Sequence, residues 1–192
     1  MLPRWLADAI LFSPEGLQPF RVAGERIGWL RPDLLQLLLW RWSTVFAVRE
    51  GGIVLNDRLT GARERTEAIA EVTHALRKAG WVRGWRDEHY AAIGETDGET
   101  KLTMERAAVK RFGVRARAAH LNGIVRGANG WSMWIATRSR SKQTEPGCLD
   151  NLVGGGMRAG ASALDTLERE SWEEAGIEAK LISQARDRKS VV

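Results

Sequence analysis

The sequence predicts an α+β fold in two units, residues 1–115 and 116–186. Over the first unit, short β-branched runs broken by a glycine pair alternate with stretches of helical periodicity. From Ala116 onward the pattern changes to glycine- and asparagine-punctuated strands, a Pro-Gly loop and one helix. The chain has 192 residues, 44% of them hydrophobic and 28% charged, which is ordinary globular composition with enough length to bury a core.

In the first unit, residues 34–42 read as a buried helix. The apolar run, Leu34 to Trp40, is interrupted by Gln36 and flanked by Arg31 and Arg41, far short of the ~18–20 residues that a membrane span needs. The stretch "TVFAVREGGIVLN" predicts two short strands around Glu50, Gly51 and Gly52. Residues 63–80 predict an amphipathic helix, with Ile69, Val72, Ala75 and Leu76 at helical spacing and Gly80 as its end. His74, in mid-helix with no partner nearby in sequence, is read as an ordinary surface or core residue rather than a metal ligand. "GWVRGWRDEHYAAI" follows as a strand with polar breaks. "TKLTMERAAVKRFGV" predicts a further helix, capped by Thr103 and closed by Phe112 and Gly113. Six of the nine tryptophans (Trp5, Trp29, Trp40, Trp42, Trp81 and Trp85) fall in this unit. They are expected to fill its core, the alternative being an aromatic cover for a flat ring.

In the second unit, "RAAHLNGIVRGANGWSMWIATRS" predicts two strands around Gly127-Ala128-Asn129-Gly130, with His120 and Asn122 as structural residues at the hairpin start. "TEPGCLDNLVGGG" is a loop, and residues 163–175 form a helix with Ser162 as N-cap, Asp165 three positions later and Gly176 at the end. Leu164, Leu167, Ser171 and Ala175 form the stripe expected to face the core.

Net charge is +5 and the isoelectric point near 9.9, which suits an anionic partner. The arginines are scattered along the chain, however, so a small phosphate-bearing molecule is a better expectation than nucleic acid. The one local cluster is Arg138, Arg140 and Lys142, read either as a solvated basic loop or as groups that meet substrate phosphate. A single cysteine, Cys148, excludes an internal disulfide framework and suits a reducing compartment, with the cytoplasm as the default. The N-terminal stretch lacks a basic segment followed by a clean apolar run, so no secretory signal is expected.

The chemistry concentrates at the second-unit helix. Glu170, Glu173 and Glu174 project from neighbouring positions, a repulsive arrangement for a bare helix. A hard divalent cation, Mg²⁺ or Mn²⁺, would turn that repulsion into attraction. Gly154, Gly155 and Gly156 let a metal or phosphate approach the main chain, and Arg169 can orient a neighbouring carboxylate. These parts suit attack of water on a phosphoryl centre.

The stretch "GGGMRAGASALDTLERESWEEAGI" resembles the box of the Nudix hydrolases. That box is a glycine, five residues, a glutamate, seven residues, then Arg-Glu-hydrophobic-any-Glu-Glu-any-Gly-hydrophobic. Gly155, Arg169, Glu170, Glu173, Glu174, Gly176 and Ile177 match it. Two positions depart: Ser171 replaces the hydrophobic residue, and Ala161 stands where the first glutamate would be. Together with "HLNGIVR", "LDNLVGGG", "GWRDEHY" and "ERAAVKRFG", the box resembles one Nudix subgroup that carries a dedicated N-terminal domain and occurs in fungi fused to thiamine pyrophosphokinase. That subgroup often lacks the first glutamate. The resemblance implies an N-terminal α+β domain followed by a Nudix α/β/α sandwich, and a metal-dependent pyrophosphohydrolase acting on a small organic diphosphate, such as a damaged thiamine diphosphate. It implies Glu170 and Glu174 as direct metal ligands, Glu173 as a ligand directly or through water, the Gly155 carbonyl as an addition, and Arg169 as their organiser. A module that binds a phosphorylated metabolite or nucleic acid without hydrolysis is the competing expectation.

Going by the family, a complete sandwich needs further strands and a second long helix after the box, whereas fifteen residues follow Ile177. The last six, Asp187 to Val192, can be encoded by the start of a common sequencing adapter whose next in-frame codon is a stop. The sequence therefore predicts an incomplete sandwich and an artefactual tail, 187–192.

Overall fold

The computed structural model describes residues 12–49, 51–141 and 145–186. The chain divides into two compact units, Met1–Arg115 and Ala116–Val192.

In the first unit, β1 (Gln18–Val22) and β2 (Glu25–Leu30) form an antiparallel hairpin. Ala23 and Gly24 make its two-residue turn at φ of 50° and 80°, the left-handed pair that matches strand twist. The helix α1 (Pro32–Arg41) leads to a second hairpin of β3 (Phe46–Arg49) and β4 (Gly52–Leu55). β4 also lies parallel to β1 through Phe20↔Ile53, giving the sheet order β2-β1-β4-β3. Then come α2 (Ala62–Lys78), the antiparallel pair β5 (His89–Ile93) and β6 (Thr100–Glu105), and the short α3 (Arg106–Val109). The predicted helices at 34–42 and 63–80 and the two strands around Gly51 are thus present.

The core of this unit is aliphatic and phenylalanine-rich. The Phe20 ring stands 6.1 Å from Phe46 and 5.9 Å from Phe112. Helix α1 adds Leu34 and Leu38, one turn apart, and α2 adds Ile69, Val72 and Leu76, all fully buried. Each such side chain contributes about 1.5–3 kcal/mol on burial. Gly28 and Gly113 mark a close crossing of two backbones: a Cβ on Gly28 would fall 2.6 Å from the Phe112 carbonyl oxygen. Across that crossing, the Trp29 N–H donates to the Gly113 carbonyl at 3.2 Å.

The tryptophans do not fill this core. Trp42, Trp81 and Trp85 only pack against its margin, and Trp40 is 81% exposed. Trp40 lies two residues past Leu38, about 200° round the helix, so the face that buries Leu34 and Leu38 turns it outward. Trp5 lies outside the described residues.

The expected helix across Thr103 is instead strand β6. Leu102 and Met104 alternate inward and pair with Ala92 and Tyr90 of β5, so tertiary pairing at a period of two overrides local helical composition. Glu105, not Thr103, caps the short helix that follows, accepting from the Ala107 N–H. Of "GWVRGWRDEHYAAI", only His89–Ile93 is strand. Positive φ at Gly80, Gly84 and Asp87 folds residues 79–88 into a tight loop.

In the second unit, β7 (Ala118–Leu121) pairs antiparallel with β12 (Val153–Gly156), and α4 (Ala163–Ala175) packs on both. Between them lie the hairpin of β8 (Ile124–Gly127) and β9 (Gly130–Met133), and the short pair β10 (Ala136–Thr137) and β11 (Leu149–Asp150). Gly127 pairs with Gly130, so Ala128 and Asn129 form the predicted turn. Each predicted strand of that hairpin is broken in two. The chain bends at Asn122 and Gly123, where the Trp134 N–H donates to the Gly123 carbonyl at 2.9 Å. A short helix, α5 (Ala179–Ile182), follows. No helix among the described residues is long and apolar enough to cross a membrane.

Candidate active site

The site is built on β12 and α4. The register Gly154↔His120, Gly155↔Ala119 and Gly156↔Ala118 fixes the triple glycine as a strand beside β7. After the loop, Ser162 caps α4. Its Oγ accepts from the Asp165 N–H at 3.1 Å, and the Asp165 carboxylate accepts from the Ser162 N–H at 2.9 Å. The hydrogen bonds from the Ser162 hydroxyl and N–H hold the Asp165 carboxyl below its usual range. Gly176 ends the helix in the left-handed conformation, φ 64°, as its position predicts.

Six residues before that end, Glu170 turns back onto β12. A Cβ built on Gly155 would fall 2.3 Å from the Glu170 carboxylate carbon and from its Oε1. Glycine at 155 is therefore what admits the carboxylate to the main chain. The Glu170 side chain is 14% accessible, and Arg169 Nη2 donates to its Oε1 at 2.6 Å. The same guanidinium reaches Glu173, with Nη1 donating to Oε2 at 3.2 Å. Arg169 thus clamps the two carboxylates, one largely covered and one half exposed. Glu174, one turn on from Glu170, is exposed. The structure therefore brings Gly155, Arg169, Glu170 and Glu173 together. Among the described residues no three carboxylate, histidine or cysteine side chains already converge as a metal-holding group.

The helix stripe differs from expectation. Ser171 is fully buried and Leu167 partly so, but Leu164 is 45% exposed and Ala175 is exposed. Thr166 takes the inward place instead, its hydroxyl donating to the Ser162 carbonyl at 2.9 Å. With Glu170 as one of the inward positions, the covered face is rotated toward the carboxylate. The Ser171 Oγ is buried without a hydrogen-bond partner.

In the basic cluster, Arg138 is engaged within its own strand pair. Arg138 Nη1 donates to the Asp150 carboxylate, with both side chains about 70% covered. Burial raises the Asp150 carboxyl, but the Arg138 hydrogen bond, the Asn151 N–H and the charges of Arg138 and His120 outweigh it and leave it lowered. Arg140 is exposed in the turn that follows. Lys142 lies outside the described residues. His120 and Asn122 are structural, as expected: His120 stands over Gly154, where a Cβ would meet its Nδ1 at 2.7 Å, and Asn122 accepts from the Asn151 amide at 2.6 Å. Sequence reading missed Asp150. Its only signal was a lone aspartate twelve residues after Arg138, and a β-ladder is needed to join them.

Comparison with known proteins places these units in families. Residues 8–116 match the model described as "Domain of unknown function (DUF4743)", and residues 116–191 match "NUDIX domain". The chain is 34% identical to Nudix hydrolase 24, chloroplastic, of Arabidopsis thaliana, over 87% of this chain and 46% of that protein. It is 37% identical to Nudix hydrolase 20, chloroplastic, of the same plant, over 87% of this chain and 47% of that protein. An uncharacterised protein of Saccharomyces cerevisiae is 34% identical over 53% of this chain and 30% of its own length. The chain thus spans about half the length of the plant relatives it matches. It belongs to the DUF4743 family and carries a NUDIX domain behind that family's domain.

Proposed function

We propose that the NUDIX unit hydrolyses a diphosphate linkage in a small organic diphosphate, with a thiamine diphosphate analogue as the candidate substrate. The observation that carries this reading is the Glu170 carboxylate lodged against the Gly155 main chain and held by Arg169. A carboxylate beside an open backbone presents oxygen donors in the combination that suits Mg²⁺ or Mn²⁺. Glu170, Glu173, Glu174 and the Gly155 carbonyl would hold the cation. When bound, it would neutralise phosphate charge and acidify water. Arg169 orients the carboxylates, and Arg138, Arg140 and Lys142 are the candidate contacts to substrate phosphate.

A second reading, a NUDIX module that binds a phosphorylated metabolite without turnover, is favoured by Ala161, which supplies no carboxylate where the box has one. One experiment separates the two. The full-length protein is assayed with Mg²⁺ against thiamine diphosphate, its oxidised analogues and nucleoside diphosphate derivatives. Hydrolysis lost in Glu174→Gln supports the enzyme, and hydrolysis untouched by that change removes the proposed site. Saturable binding with no product formed supports the binding module.

Cys148 is free and exposed, which suits the reducing cytoplasm proposed for this chain. The plant relatives are named chloroplastic, so localisation of a tagged chain tests the assignment.

A further inference from the structure

Several arginines of the first unit lie in or against one loop, residues 79–88. The loop 79–88 is stapled at one side to the end of α2, where the Trp81 N–H donates to the Leu76 carbonyl at 2.9 Å. At its other side, Arg111 Nε donates to the Trp81 carbonyl at 2.9 Å, and the Arg86 N–H donates to Glu105 at 3.0 Å. Folding therefore sets Arg77 of α2 and Arg111 after α3 against the loop that carries Arg83 and Arg86, a basic loop surface with Lys110 next to Arg111 in the chain, all exposed. Asp87 is engaged by the Trp85 indole N–H at 2.7 Å, and Glu88 by Arg106 at 2.8 Å. Glu88 is thus paired with a cation, whereas Asp87 keeps its charge beside the indole.

Two of these cations are set on indole rings. The Arg77 guanidinium lies 4.8 Å from the Trp85 ring and Arg111 lies 5.8 Å from that of Trp81. A stacked guanidinium is held in place while its N–H edge stays available to an oxyanion. His74 stands 4.6 Å from Trp85 as well, so the indole is already engaged by protein groups rather than offered to a base.

We propose that this face binds the phosphate backbone of single-stranded nucleic acid, without reading its bases. Arginine predominates over lysine, which suits phosphate rather than a diffuse negative surface. A protein partner would need apolar anchors, and an anionic membrane surface attracts lysine and arginine alike. Among the described residues of this unit, the exposed large hydrophobics are Phe12, Trp40 and Val48, none of them in the loop or in the segments bonded to it. A flexible chain of phosphates needs no apolar anchor and is met by the forked donors of arginine.

The test is fluorescence anisotropy of the full chain with labelled oligouridylate and oligoadenylate RNA, across 50–200 mM KCl. Both RNAs are expected to bind alike. Log affinity is expected to fall with log salt at a slope of about −2 to −3, as for three or four phosphates neutralised on a single strand. Arg83→Glu with Arg86→Glu changes two exposed side chains and leaves the Arg86 backbone hydrogen bond intact. With circular dichroism unchanged, the double variant is expected to bind roughly tenfold or more weakly and with a shallower slope. Equal binding by variant and parent overturns the proposal. So does equally tight capture of a labelled polyglutamate peptide, which would make any polyanion, and thus an acidic protein, the partner.

Discussion

At the scale of single residues, the site turns on Gly155 and Glu170. Because a Cβ at 155 would sit 2.3 Å from the carboxylate, Gly155→Ala must push Glu170 off the strand. A shift of about 1 Å at a reacting centre can cost roughly a hundredfold in rate. The variant is expected to keep its circular dichroism spectrum and lose about that much activity in the diphosphate assay. Ser171 gives a prediction of opposite sign. Its buried hydroxyl has no partner, so Ser171→Ala removes an unsatisfied group and improves helix propensity. Thermal or urea unfolding should show stabilisation of about 1 kcal/mol.

At the scale of elements, the N-cap of α4 sets the helix that carries the glutamates. Ser162→Ala is expected to cost about 1 kcal/mol of stability. The linked pH dependence follows from Asp165, whose folded pKa is depressed by Ser162. Its contribution is present above the unfolded aspartate value near ~4 and is lost as pH falls through the lowered folded value. The parent should therefore lose stability from about pH 4 downward, and Ser162→Ala should flatten that part of the pH profile in urea titrations. The same helix shows what sequence could yield. Its cap, its end at Gly176 and its glutamates follow from local chemistry and were legible. The inward rotation that buries Thr166 and exposes Leu164 was not, because it depends on where β12 lets the helix approach. β6 was misjudged for a related reason: only β5, a loop away, makes Leu102 and Met104 a strand. The pairing of Arg138 with Asp150 likewise exists only once β10 and β11 meet.

At the scale of the whole molecule, the two units differ in what they bury. The first encloses a continuous cluster from Phe20 to Val114. Among described residues of the second, the buried hydrophobics are Ala119, Val153 and Ile182, while Trp131, Trp134, Leu149 and Trp172 are more than 60% exposed. Local opening is cheapest where few apolar contacts are lost. Hydrogen exchange on this chain is expected to protect α2, β1 and β4 strongly and to label the second unit first. The division into units was legible from the change of pattern at Ala116. The approach of Arg77 and Arg111 to the loop of Arg83 and Arg86 was not, since sequence separation hides what folding brings together.

The central claim is that Glu170, set against Gly155, is part of a divalent-cation site. The most direct measurement is titration of the chain with Mn²⁺, following free ion by electron paramagnetic resonance, in the parent and in Glu170→Gln. The predicted result is saturable binding by the parent and at least about tenfold weaker binding by the variant, within the range that loss of a metal-site interaction produces. Equal affinity in the two proteins would contradict it.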